Sequence, residues 1–140
     1  MKYGRIICLG NLLLSADAAG MRVLDELRSR SLDSGIELIE GGLGGLDLLP
    51  WFEGCDCVVL VDRVIGFGPP DMVLQLELAN ILAHCRPEYS HAGGLLYLLN
   101  SLPYLGLDPM PAVYLIGIEG SGSASAVQRA ADLALEIVHA

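Results

Sequence analysis

The chain reads as an α/β protein: a three-layer sandwich of about five mostly parallel strands with helices on both faces. Two observations predict this. The runs RIICL, CVVLV and VYLIGI are continuously apolar, as strands covered on both sides must be. Between them lie stretches whose apolar residues recur at helical spacing, so strand and helix alternate along the chain. Turn chemistry adds an exception, since the Gly/Pro segment Gly66–Pro70 is hairpin-like and predicts one antiparallel strand.

Arg5–Leu9 is the first buried strand. Asp17–Arg30 follows as a helix, with Met21, Leu24 and Leu27 on one face and Arg28 and Arg30 in the last turn, where cations complement the helix dipole. Ile36–Ile39 is a short second strand that gives way to GGLGG, and Leu46–Phe52 is a brief helix stopped near Gly54. Cys57–Val61 is the strongest strand signal in the chain, and Met72–Leu76 is a strand beyond the turn. Asn80–Arg86 is either helical or irregular and ends at Pro87. Ser90 caps a helix through Asn100, Pro103–Pro111 is a proline-rich loop, and Val113–Ile118 is the last strand. Ala124–His139 is a terminal amphipathic helix with Ser121 or Ser123 as its cap. With 140 residues and no repeat, low-complexity tract or linker, residues 1–140 are expected to form a single domain.

Composition narrows the function. Eight basic against 17 acidic residues give a net charge of −9, which argues against nucleic acid, whose binding needs clustered Lys and Arg. Hydrophobic residues make up 53% of the chain, yet no uncharged apolar stretch reaches the roughly 18–20 residues of a membrane span. GGLLYLLNSLPYLGL is interrupted by Asn100 and Pro103, and no signal-peptide pattern opens the chain, so a soluble cytoplasmic protein is expected. Cys55 and Cys57 are one residue apart, unlike zinc-ligand spacing, and Cys8 reads as a small core hydrophobe. Neither a dinucleotide glycine fingerprint, a phosphate-binding P-loop nor a G-x-S-x-G elbow is present.

Three acceptor side chains remain: Asp17 behind GRIICLGNLLLSA, Asp62 closing CVVLVD, and His91 opening HAGGLLYLLNSL. Each has an ordinary explanation on its own, as a first-turn acid, the partner of Arg63 and a helix-start histidine. In an α/β fold, however, strand ends and the helix starts beside them share the sheet edge where ligands gather. Two carboxylates and an imidazole meeting there suit a divalent transition metal.

The order of these residues brings a family into view. GNLLLSADAAGMRVLDEL, IEGGLGGLDLL, VLVDRVIGFGPPDMV, SHAGGLLYLLNSL and VYLIGIEG follow one another as do the elements of the hydrogenase maturation endopeptidases, which the chain resembles over nearly its whole length. The resemblance implies a peptidase, of the type classed as aspartic, that removes a C-terminal extension from the large-subunit precursor of a nickel-iron hydrogenase. It implies that Asp17, Asp62 and His91 contact nickel, either as ligands of an enzyme-bound ion or as readers of an ion the substrate carries. Four departures mark a divergent member: Ala16 where the family has a first acid, Glu40 before Gly-Gly, Arg63 beside Asp62, and Ser90 directly before His91. Ala16 and Arg63 keep a second reading open, a non-catalytic metal-checkpoint or binding module of the same fold.

Overall fold

A computed structural model describes residues 3–10, 18–84 and 93–140. Five strands form one sheet in the order β2-β1-β3-β5-β4. They are β1 (Gly4–Leu9), β2 (Ile36–Gly42), β3 (Cys57–Val64), β4 (Val73–Glu77) and β5 (Ala112–Glu119). The pairs β1–β2, β1–β3 and β3–β5 are parallel and β4–β5 is antiparallel. The expected antiparallel strand is therefore present, but its partner is β5 rather than the strand before the turn. Pairing is decided by the whole sheet: β3 already has β1 and β5 on its two sides.

Helices α1 (Ala19–Arg28) and α4 (Ala124–His139) cover one face, while α2 (Leu78–His84), α3 (Gly93–Ser101) and a 3-10 turn at Leu46–Phe52 cover the other. The strand alternation feeds both layers. Ile6, Cys8, Val59, Val61, Ile116 and Ile118 face α1 and α4, whereas Ile7, Leu9, Val58, Leu60, Val113 and Leu115 face α3. Each such fully buried aliphatic side chain contributes on the order of 1.5–3 kcal/mol of transfer free energy. Along α4 the buried side chains include Ala126, Ala130, Ala131 and Ala134, small enough to bring α4 close to α1. An ion pair at 2.6 Å joins Arg30, just beyond α1, to Asp132 in the middle of α4.

Element ends depart from the sequence expectation for local reasons. Helix α1 stops at Arg28 rather than Arg30, because the Ser29 hydroxyl and backbone N–H both turn back to the Glu26 carbonyl. Strand β2 runs on through Gly42 instead of ending at Ile39. Its glycines are structural: a Cβ on Gly41 would lie 2.5 Å from Leu9 Cδ2 and 2.7 Å from Ile7 Cγ2, so only glycine lets β2 lie against β1 there. Strand β3 likewise continues past Val61 to Val64. Ser123, not Ser121, caps α4, its Oγ accepting the Ala126 N–H at 3.2 Å. Part of the expected proline-rich loop is a 3-10 turn, Leu102–Tyr104. The expected cap at Ser90 lies outside the described residues.

Candidate active site

The carboxyl ends of the parallel strands are built for close approach. Gly20, in the first turn of α1, lies so near the sheet that a Cβ there would be 1.9 Å from the Leu9 carbonyl oxygen and 2.9 Å from that of Val61. Helix α1 therefore begins directly on the ends of β1 and β3. The turn after β5 joins them, since a Cβ on Gly122 (φ +86°) would meet Ala19 at 3.3 Å. Arg22 fastens this junction by donating to the carbonyls of Ser121 and Gly122.

Asp62 sits in this edge, one residue after the Val61 that α1 presses against, and it is fully buried. Because β3 extends two residues beyond it, Asp62 is a strand residue rather than the first residue of a loop. Period-two alternation puts its side chain on the same face as Val58, Leu60 and Val64, the face that α3 covers. Its Oδ1 accepts the Arg63 backbone N–H at 2.7 Å. Its register partner on β5 is Gly117. A Cβ on Gly117 would lie 2.8 Å from Val64 Cγ1, so the glycine is required for packing.

The other two residues singled out from the sequence, Asp17 and His91, lie outside the described residues. The elements that flank them are placed. Ala18, next to Asp17, is buried and leads α1 onto the edge just described. Antiparallel β4 runs away from that edge, and α2 follows it. Residues Leu105–Pro109, which follow α3, line a cavity with Glu53 and Gly54 near the amino end of β3. The segment after α3 therefore reaches the amino side of the sheet. Among the described residues, no three His, Cys, Asp or Glu side chains come close enough to hold a metal ion.

A second buried acid was missed by sequence reasoning. Glu119, the last residue of β5, is 7% exposed, and it shares the α3-covered face with Asp62 by alternation. Its Oε2 accepts the Phe67 N–H at 2.7 Å. The signal was available: VYLIGIE ends a buried strand on an acid as CVVLVD does, but the following glycine made it look like an exposed turn. Two of the described cysteines are core residues. Cys8 is packed under α1, and burial pushes its thiol up to about 12, so it stays protonated at neutral pH. Cys55 lies in the opposite core layer, its thiol raised by burial.

A buried acid at the carboxyl edge of a doubly wound sheet, with a helix N-terminus set against it, defines the class: an α/β protein that meets its ligand or substrate at that edge. Comparison with known proteins makes this narrower. The hydrogenase 2 maturation protease of Escherichia coli is 27% identical over 107 residues, which is 74% of this chain and 65% of that protein. The hydrogenase expression/formation protein HupD of Rhodobacter capsulatus is 30% identical over 70 residues, 49% of this chain and 33% of HupD. The matched region thus spans less than two thirds of either curated relative. In three dimensions the hydrogenase maturating endopeptidase HybD of E. coli superposes with a TM-score of 0.73 and 26% identity, covering 97% of this chain and 89% of that one. No family model matches the chain. The chain is thus similar in sequence and fold to hydrogenase maturation proteases.

Proposed function

We propose that this chain is a cytoplasmic endopeptidase that removes a C-terminal extension from the large-subunit precursor of a nickel-iron hydrogenase once nickel has been inserted. The observation that carries the reading is the placement of Asp62. It is a fully buried carboxylate at the carboxyl edge, paired in register with a glycine, in a chain similar to hydrogenase maturation proteases. A carboxylate is buried at a strand end only where neighbouring groups hold it, and the Arg63 backbone N–H fixes Asp62 Oδ1 at 2.7 Å in a defined orientation at that edge.

In this reading Asp62, Asp17 and His91 would contact the nickel that arrives with the precursor, as a mixed oxygen and nitrogen set suited to such an ion. A divalent ion at a scissile peptide supplies Lewis-acid polarisation of the carbonyl. The chain's own part is positional. Val61 and Leu9 carry the Asp62 edge, α1 closes it from one face, and α3 covers the other face of the sheet. Gly117 lets Val64 pack across from the carboxylate and so keeps the strand end that carries Asp62 in place. No helix among the described residues is long and apolar enough to cross a membrane.

The test is incubation with nickel-loaded precursor and mass analysis of its C-terminus. The expected outcome is loss of the extension with the wild-type chain and an intact precursor with Asp62→Asn. An intact precursor with the wild type, or trimming by Asp62→Ala combined with His91→Ala, would sink the mechanism. Arg63, adjacent to Asp62 and half-buried, favours the second reading of a checkpoint module. Tight precursor association without any trimming is the result that would select it.

A further inference from the structure

We propose that Glu119 is a positioning residue: it holds the Gly66–Phe67–Gly68 arch as one wall of the peptide site beside Asp62. This rests on the peptidase reading given above. Strand β3 carries Asp62 and ends two residues later at Val64, whose register partner is Glu119. The chain then leaves the sheet through Ile65 and turns at Gly66 (φ +93°), a conformation that favours glycine. It comes straight back, because the Phe67 N–H reaches Glu119 Oε2 at 2.7 Å.

Glu119 also grips the returning limb through its main chain. The Asp71 N–H donates to the Glu119 carbonyl at 2.8 Å, and the Glu119 N–H donates to the Met72 carbonyl at 2.9 Å. One residue therefore bonds both limbs of the arch. Two further ties fix its base. Asp71, held at φ +70°, accepts the Ser123 N–H on Oδ1 at 3.2 Å, and its carbonyl accepts Arg129 Nη2 at 2.7 Å. The arch is also closed on itself, since a Cβ on Gly68 would stand 2.2 Å from Met72 Sδ.

A loop that only joined β3 to β4 would need none of this, and a buried carboxylate is a costly anchor for a plain connection. The anchor makes sense where the loop must keep a fixed place relative to its neighbour. The neighbour is Asp62, on the same face and one strand away. Ile65, 43% exposed, stands at the start of the arch and offers an apolar contact to a peptide laid along the edge. Glu119 acts through the arch and does not touch the reacting peptide.

The experiment combines amide hydrogen exchange at Phe67 in the free protein with the precursor-concentration dependence of trimming. For Glu119→Ala the Phe67 amide is expected to exchange about tenfold faster. KM for the precursor should rise about tenfold while kcat stays within about twofold. Glu119→Gln keeps an acceptor for Phe67 and is expected to restore both values. Gly68→Ala disturbs the same arch without touching Glu119, and should raise KM in the same way even if Glu119→Ala fails to fold. Unchanged Phe67 exchange in Glu119→Ala overturns the proposal, as does faster exchange with unchanged KM, or a Glu119→Gln no better than the alanine variant. A wild type that leaves the precursor intact defeats the peptidase reading separately. Precursor affinity then decides the role of Glu119: a tenfold weaker Kd in Glu119→Ala sustains it, and an unaltered one ends it.

Discussion

The two ends of the sheet treat charge in opposite ways. At the amino end, Arg5 on β1 is ion-paired to Glu37 on β2 at 2.9 Å and donates to the carbonyls of Trp51 and Glu53. Its guanidinium also stacks on Tyr3 and Trp51, 5.4 and 5.6 Å from the ring centres, and Tyr3 donates its hydroxyl to Glu37 at 2.8 Å. Cation, anion and aromatic rings there satisfy one another in an arrangement typical of a structural lock. At the carboxyl end the buried acids Asp62 and Glu119 accept main-chain N–H groups instead, of Arg63 and Phe67. One end spends its side chains on holding strands together, and the other keeps its carboxylates turned to backbone and to the edge where a substrate would lie. On the proposed reading, function and stability fall to opposite ends of the same strands.

That division can be broken by experiment. The largest effect is expected at Asp62: Asp62→Asn should lower trimming by about 10³-fold or more while the melting transition moves little, measured by mass analysis and calorimetry. Loss of activity accompanied by unfolding would make Asp62 a structural residue and erase the contrast. Next is Gly20→Ala, whose Cβ would stand 1.9 Å from the Leu9 carbonyl oxygen, so α1 must shift off the edge. A loss of about 3 kcal/mol in urea unfolding is expected, with activity impaired as well.

Arg5→Ala is the matching change at the other end. It should cost about 2 kcal/mol of stability from its lost bonds and leave kcat and KM of the folded protein unaltered. A change in kcat would show that the two ends communicate. Smaller still is the acid response of Glu37, whose carboxyl is held below the usual range, first by the hydrogen bond from Arg5 and then by that from Tyr3. A carboxyl lowered in the folded state adds stability above its unfolded pKa of about 4.3, and that stability is lost as pH falls through the folded value. Glu37→Gln should therefore lower stability slightly at pH 7 and flatten the acid limb, the two proteins converging below about pH 4. Least affected is Cys8, which should resist alkylation in the native protein at pH 7 and react only on unfolding.

How much of this was legible in the sequence depended on whether a feature was local. Strands β1, β3 and β5 announced themselves as apolar runs, and Asp62 stood out because an acid ending such a run must be accounted for. Ser123 could be narrowed only to one of two serines, because a cap is chosen by where the turn after β5 meets α1. The continuation of β2 through Gly42 was hidden, since glycines read as loop until Leu9 and Ile7 are seen pressing on Gly41. The partner of β4 and the role of Glu119 were hidden for a stronger reason. Both depend on contacts between segments far apart in the chain, which no local pattern carries.

The arch anchored on Glu119 also bears on when the site comes into being. Phe67 and Glu119 are 52 residues apart, and the Asp71–Ser123 bond spans 52 residues as well. Closing such a span has an entropic cost that precedes any gain from the contacts, so these pairings form late in folding. During synthesis the strand bearing Asp62 emerges well before β5, which brings both its Gly117 neighbour and the Glu119 anchor. An incomplete chain can thus expose the acid but cannot surround it, and on the proposed reading activity waits on the last strand.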